Sequence, residues 1–457
     1  MIFIVLIVGL LLRLISLNQS FWLDEATSGL VVRNFSFSQI VTRFAPGDFH
    51  PPLYYLILKA WGSFFGTSEI ALRIPSVIFA IATIYVVYLI AKELFNKKTG
   101  LVASALLATS GLHVYYSQEA RMYALVTLFV SVAVLSFVKT LKRNKIGDWI
   151  VLSLSILFLV FTDYVAVFIL PVIWLYVLLT KQNSTYWKKF ITSHIILLVF
   201  IILWLPVFVK QFTSGINIST TSPSWWKVLG LTSIKNIFLI PVKFMLGRIS
   251  FYNKFIYALV VAFSSFILLI PLTLSLKKYK KTLLVILWLF VPIIGSVVIG
   301  IKVSILSYFR LLFCLPAFYI LIAFGLLSLK KKLWKPLFLI ILFINLFSSG
   351  MYLFNQRFQR ENWRDLTFYI QAQSKWENSI TIFVNDSNME AYRYYDSDAR
   401  ISGPEGLCAC FNEIWLMRYT QPIFDSEDKI RGKVEKLGYS KSGEYDFNGV
   451  VVWKYIK

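Results

Sequence analysis

The chain has 457 residues, 58% hydrophobic, 17% aromatic and only 15% charged, with a mean hydropathy of +0.69. That is too apolar for a water-soluble globule of this length and identifies a polytopic membrane protein. The formal charge of +23 could suit a nucleic-acid binder, but its distribution excludes one: residues 1–355 hold 8 acidic and 32 basic residues, residues 356–457 hold 15 and 14, and the bases of the first part lie in short clusters between long apolar runs.

Eleven apolar runs are candidates to cross a ~30 Å hydrocarbon core. They lie near 1–17, 70–91, 99–115, 120–138, 149–162, 164–180, 190–209, 254–276, 282–301, 308–329 and 336–354. The first is expected to be a retained span, because it lacks a basic leader, carries Arg13 near its far end and is followed by no small-x-small cleavage site. A long, half-apolar connection at 18–69 follows. It contains the adjacent acids of "FWLDEATSG" and two stretches, "SFSQIVTRF" and "PPLYYLILKAWGSFFG", patterned as short amphipathic helices. Thereafter every second connection is basic: Lys92, Lys97 and Lys98; Lys139 to Lys145; Lys181 to Lys189; "KKYKK" at 277–281; and Lys330 to Lys335. The positive-inside rule makes these cytoplasmic, with the N-terminus on the same side. The alternate connections, including a second long loop at 210–253 with an interfacial Trp pair in "SPSWWKVLG", then face outward and carry Asp24, Glu25, Asp48, Glu69, Glu119 and Asp163.

After Asn355 the composition changes. "NWRDLTFYIQAQS", "SNMEAYRYY" and "SEDKIRGKVEKLG" have helical patterns, while "SITIFV", "EIWLMRY" and "GVVVWKYI" read as strands. Residues 1–355 are therefore expected to form a membrane domain and 356–457 a small extracytoplasmic α/β domain. Cys314 falls inside a span, and Cys408 and Cys410 are too close in sequence for a relaxed bridge.

Five motifs in order, "RLISLNQSFWLDEATS", "HPPLYYLILKAWGSFFGTSEIALRIPS", "YYSQEARMYAL", "YFRLLFCLPAFYILIAFGLLSL" and "ENWRDLTFYI", resemble the bacterial family 39 glycosyltransferases. These are relatives of the dolichyl-phosphate-mannose protein mannosyltransferases and aminoarabinose transferases of the GT-C superfamily. The resemblance implies a GT-C fold in the plasma (inner) membrane. It also implies a polyprenyl-phosphate-linked sugar donor, such as a mannosyl lipid, and a protein, lipid or glycan acceptor, with Asp24 matching the first-loop acid. His50 stands before "PPLYY" where the aminoarabinose enzymes have Lys.

The residue types fit that chemistry on their own account. A phosphate leaving group needs cationic stabilisation, and an acceptor hydroxyl needs a base. The outward connections offer Asp24, Glu25 and Glu119 as candidate catalytic carboxylates, with His50, Tyr54, Arg73, Arg121 and Arg310 as candidate donor-binding groups. No cofactor is required; a divalent cation on Asp48 and His50 stays open, although no tight ligand spacing demands it. Each residue has a plainer alternative: Asp24 and Glu25 in a helix N-terminal turn, Glu69 and Arg73 as an i,i+4 surface pair, Arg121 and Arg310 snorkelling to headgroups. A lipid or glycan transporter is the competing function, but such proteins place charge near mid-membrane, and here the apolar runs are nearly free of acids.

Overall fold

The computed structural model describes residues 1–221, 223–228, 231–374 and 378–457, and in it all eleven apolar runs are helical. Among the described residues, six helices are long and apolar enough to cross a membrane: Glu69–Leu94, Tyr123–Arg143, Ser184–Ile218, Lys254–Lys277, Tyr279–Ile299 and Lys331–Phe354. Ile2–Leu14, Ile146–Val160, Tyr164–Leu179 and Leu312–Leu327 are shorter apolar helices. Large side chains such as Leu203 (74% exposed) and Phe263 (55%) stand on the bundle's outer surface, as a lipid-facing surface requires.

Two expected boundaries are corrected. The run 99–115 is not one helix: it breaks at Ser110, whose extended backbone separates Lys97–Thr109 from Gly111–Ser117. The connection expected to begin at 210 instead continues the preceding helix, Ser184–Thr221, and then forms the helices Pro223–Val228 and Ile234–Leu246. Of the "SPSWWKVLG" stretch, Ser222, Leu229 and Gly230 lie outside the described residues. Arg13 explains how the first helix docks. Its guanidinium is fully buried, donates to the carbonyls of Gly9 (2.7 Å) and Ala108 (2.9 Å), and lies 2.6 Å from His113 Nδ1.

The connection at 18–69 folds as helices Leu23–Asn34, Phe37–Gln39 and Leu53–Phe65 with a π-helical turn at Ile40–Phe44. Beyond residue 355, a five-stranded mixed sheet has the order β2-β1-β3-β5-β4, where β1 is Ser379–Ile382, β2 Ile401–Ser402, β3 Glu413–Met417, β4 Ser440–Phe447 and β5 Val450–Ile456. β1 runs parallel to β2 and β3, and β5 antiparallel to β3 and β4. Alternation along β3 divides two cores. Ile414 and Leu416 pack with Ile430 and Val434 of the helix Lys429–Lys436, while Trp415 and Met417 face the other way into the core shared with the helical bundle. Cys408 and Cys410, read as too close in sequence for a relaxed bridge, are bridged, with Cα atoms 5.2 Å apart and a turn at Ala409 between them.

This C-terminal part grips the first connection. Tyr395 OH accepts from the Phe21 amide at 2.7 Å and donates to Glu69 Oε1 at 3.0 Å. Arg33 donates to the Tyr394 carbonyl at 2.7 Å and lies 3.8 Å over the Tyr394 ring. Gly29 makes the approach feasible, because a Cβ there would meet Tyr394 Cε2 at 2.4 Å.

Candidate active site

The first turn of Leu23–Asn34 carries both acids of the "FWLDE" motif, where negative charge suits the positive end of the helix dipole. Neighbouring helical positions point about 100° apart, and the two side chains separate accordingly. The Asp24 side chain is 40% exposed and lines a cavity of about 1690 Å³. Glu25 is fully buried and turns away from it.

From Asp24 a polar chain runs along the cavity wall. Arg121 Nη2 lies 3.7 Å from Asp24 Oδ2, and Arg121 Nη1 donates to Tyr55 OH at 3.1 Å. Tyr55 donates to Asp48 Oδ2 at 2.8 Å, and His50 Nδ1 stands 3.6 Å from that same oxygen. Burial would raise the Asp48 carboxyl, but His50 and Arg121 together pull it down to about 2. Asp48 is thus a fixed negative charge beside the Arg121 cation. Among the described residues no group of three or more His, Cys, Asp or Glu gathers as a metal set, at Asp48 and His50 or elsewhere.

Glu25 is the centre of a different construction. Arg73 Nε and Nη2 grip its two oxygens at 2.8 and 2.6 Å, Ala120 N donates at 2.7 Å, and Arg360 Nε lies 3.3 Å away. Burial opposes the Glu25 charge, but Arg73 and Arg360 outweigh it and hold the carboxyl below its ordinary range. The remaining Arg73 donors reach the carbonyls of Leu17 (2.8 Å), Gln19 (2.5 Å) and Ser20 (3.0 Å). Arg73 therefore does not pair with Glu69 across one helical turn. Glu69 is taken by Arg364 at 3.1 Å, because residue 73 faces the buried root of the first connection and residue 69 faces the C-terminal part.

Glu119, in the turn before Tyr123–Arg143, does line the cavity, accepting from Trp22 Nε1 at 3.2 Å with Arg360 Nη2 at 3.6 Å. Burial, with Glu25 nearby, raises its carboxyl above the ordinary range despite Arg360. Arg310 also lines the cavity, oriented by donation to the Ser304 carbonyl at 2.6 Å, and His50 joins it there. Tyr54 is buried and does not line the cavity.

Among the cavity residues that escaped the sequence reading are Arg248, Arg360 and Glu361. Arg248 donates to Tyr115 OH at 2.7 Å, and its guanidinium stacks 4.6 Å from that ring, with Arg360 stacked at 4.5 Å. Arg248 arrives there because Gly247, at φ +59°, ends its helix, where a Cβ would meet the Gly111 backbone at 3.0 Å. A lone Arg after such a glycine was the only local signal. Glu361 accepts from Tyr419 OH at 3.4 Å, and burial raises its carboxyl.

One side of the lining is apolar. Ile201, Trp204, Leu205, Phe208 and Phe212 of Ser184–Thr221 form one wall, and Ile299 and Val303 contribute to it. Most lining residues belong to, or adjoin, a connection without the basic clusters. Those clusters sit at the other end of the helices: Tyr279 and Ile299 bound one helix, Ile299 in the cavity and Tyr279 among the lysines of 277–281.

Against known proteins, a model of the dolichyl-phosphate-mannose-protein mannosyltransferase family matches residues 49–209. Comparison with curated proteins returns no match. Among solved structures, ArnT from Cupriavidus metallidurans in the apo state superimposes with a TM-score of 0.60 at 12% identity, over 99% of this chain and 97% of its own. The same protein bound to undecaprenyl phosphate gives 0.62 at 12%, over 98% and 96%. AglB, the archaeal oligosaccharyltransferase from Archaeoglobus fulgidus, in complex with an inhibitory peptide and a dolichol-phosphate, gives 0.56 at 11%, over 99% and 74%. At such identities the likeness is one of fold: the chain is a multi-pass membrane protein with the GT-C architecture that its motifs resemble.

Proposed function

We propose that this protein transfers a sugar, a hexose of the mannose type, from a polyprenyl-phosphate-linked donor to a protein, lipid or glycan acceptor at the outer face of the plasma (inner) membrane. The observation that carries the reading is the composition of one cavity. A carboxylate (Asp24), cations (Arg121, Arg310, Arg248) and an apolar helical wall meet in it, at the end of the bundle away from the basic connections. The apolar wall suits a prenyl chain, the arginines suit its phosphate, and the carboxylate suits an acceptor proton. The family model over residues 49–209 and the fold shared with ArnT and AglB, whose structures hold undecaprenyl phosphate and dolichol-phosphate, support glycosyl transfer from a lipid-linked donor.

The reaction follows from these positions. The bond between the anomeric carbon and the phosphate oxygen breaks, and its electrons leave with the lipid phosphate, whose added charge Arg121 and Arg310 stabilise. The acceptor hydroxyl oxygen bonds to the anomeric carbon from the opposite face, which inverts its configuration, and Asp24 takes the hydroxyl proton. A hydroxyl of pKa ~15 is a poor match for a carboxylate near ~4, so the proton moves late, once the anomeric centre is already cationic. Arg121, 3.7 Å from Asp24, stands close enough to orient that carboxylate. In this reading Glu25 and Arg73 shape the site without entering it, and Glu119 and His50 border the donor.

Two measurements test the reading. Replacing Arg121 or Arg310 with Ala should weaken binding of polyprenyl-phosphate by ~1.5–3 kcal/mol, the worth of a charge-assisted hydrogen bond; unchanged affinity in both variants would return them to headgroup snorkelling. The exposed Ser440, at the start of β4, tests topology. A Ser440→Cys substitution in a background lacking Cys314, Cys408 and Cys410 should react with an impermeant thiol reagent added to intact cells. Reaction only after permeabilisation would place the C-terminal part, and with it the cavity, on the cytoplasmic side.

A further inference from the structure

We infer that the end of the bundle opposite this cavity holds a second binding site, for the phosphate headgroup of an acidic phospholipid. A separate cavity of about 690 Å³ lies there, lined by Lys277, Lys278, Lys280 and Lys281 and by Phe324 and Leu327. The helix Tyr279–Ile299, ~30 Å long at 1.5 Å per residue, separates it from the reacting cavity, so the two sites do not overlap.

Three features distinguish it from an ordinary basic fringe. First, the four lysines stand within five residues, and among the described residues no carboxylate pairs with any of them. Glu93, an acid at this end, is already engaged by Lys142 (3.2 Å) and Arg143 (3.1 Å). Their mutual repulsion is left for an external anion to relieve. Second, the turn that presents them is fixed. Ser275 Oγ donates to the Leu321 carbonyl at 2.5 Å, Thr282 Oγ1 donates to the Ser275 carbonyl at 2.9 Å, and the Lys281 amide donates to the Lys278 carbonyl at 2.9 Å. The helix that follows begins at Tyr279 with no side-chain cap, so its positive end adds to the lysines. Third, the lysines share the cavity with apolar surface. Lys278 Nζ lies 5.9 Å from the Phe324 ring, which packs at 4.4 Å against Phe95. Four cations sharing a cavity with aromatic and aliphatic side chains match an anionic headgroup with an acyl chain better than a free anion, which would gain nothing from Phe324 and Leu327.

The test uses the full-length protein purified in a neutral detergent and native mass spectrometry with added phosphatidylglycerol or phosphatidylcholine. The parent should retain one phosphatidylglycerol at least ~10-fold more tightly than phosphatidylcholine, a difference of ~1.4 kcal/mol. The variant K277Q/K278Q/K280Q/K281Q should lose that preference, whereas K181Q/K188Q, with two lysines from another basic connection, should keep it. Unchanged thermal midpoints establish that the variants are folded; if the quadruple variant is not, K277Q/K281Q serves in its place. Equal retention of the two lipids by the parent, or equal losses in the quadruple and the control variants, overturns the site. Millimolar inorganic phosphate should leave the bound lipid in place; its displacement would assign the site to free phosphate and overturn the lipid assignment.

Discussion

Asp24→Asn protein, reconstituted with donor lipid, should transfer sugar at least ~10²-fold more slowly than the parent while binding polyprenyl-phosphate with near-normal affinity. The substitution keeps the shape and hydrogen-bonding reach of the side chain and removes only its capacity to accept a proton, and general-base groups contribute factors of this order. The geometry makes the comparison clean. Asp24 is partly exposed, and Arg121 at 3.7 Å is the one basic group within ion-pair distance of it among the described residues, so little of the fold depends on its charge. Loss of donor binding together with turnover would assign Asp24 to holding Arg121 in place. Near-normal transfer by the folded variant would exclude Asp24 as base and turn attention to Glu119, the other carboxylate at Trp22.

The largest effect on stability is expected at Arg73. Arg73→Met leaves Glu25 buried with half of its ligation and leaves the carbonyls of Leu17, Gln19 and Ser20 without their donor. Removing one partner of a buried ion pair costs ~3–5 kcal/mol, to be read as a lowered midpoint of thermal unfolding in detergent. The double variant Glu25→Gln, Arg73→Met should recover part of that loss, because the carboxylate left short of partners is gone and Arg360 keeps Glu119 at 3.6 Å. A midpoint indistinguishable from the parent's in Arg73→Met would mean that Arg360, 3.3 Å from Glu25, holds the carboxylate unaided.

The contrast between these neighbours shows what was legible in the sequence. That the first connection carries an acid that lines the cavity was readable, since Asp24 and Glu25 follow an apolar run in a region almost free of acids. That only Asp24 enters the cavity follows from helical spacing once the helix is known. The partner of Arg73 was not readable. An i,i+4 acid is worth only ~0.2–0.5 kcal/mol on a helix surface, and a buried bidentate contact 48 residues away in the chain outcompetes it. Arg248 and Arg360 were hidden for the same reason, as single charges in aperiodic segments placed by distant packing. In the C-terminal part the apolar strands β1, β3 and β5 were visible in the pattern of Val, Ile and Trp. β4, "SKSGEYDF", was not: its outer residues alternate between exposed and half-exposed, and it is an edge strand with a register shift at Lys441 and Gly443. Polar side chains and an irregular register are what keep such an edge from pairing with another chain, and they also erase the periodicity by which a strand is read.

The grip of Tyr394 and Tyr395 on the first connection bears on how the protein is made. The contact from Tyr395 to Phe21 joins positions 374 residues apart, three residues before Asp24. Ribosomal synthesis proceeds from the N-terminus, so a nascent chain can have inserted every hydrophobic segment while the helix bearing Asp24 still lacks the surface against which it is set. Segments fold as they emerge, and the one that completes the cavity lining emerges after the apolar helices. A truncation within the sheet would therefore leave an inserted chain whose cavity lacks part of its lining.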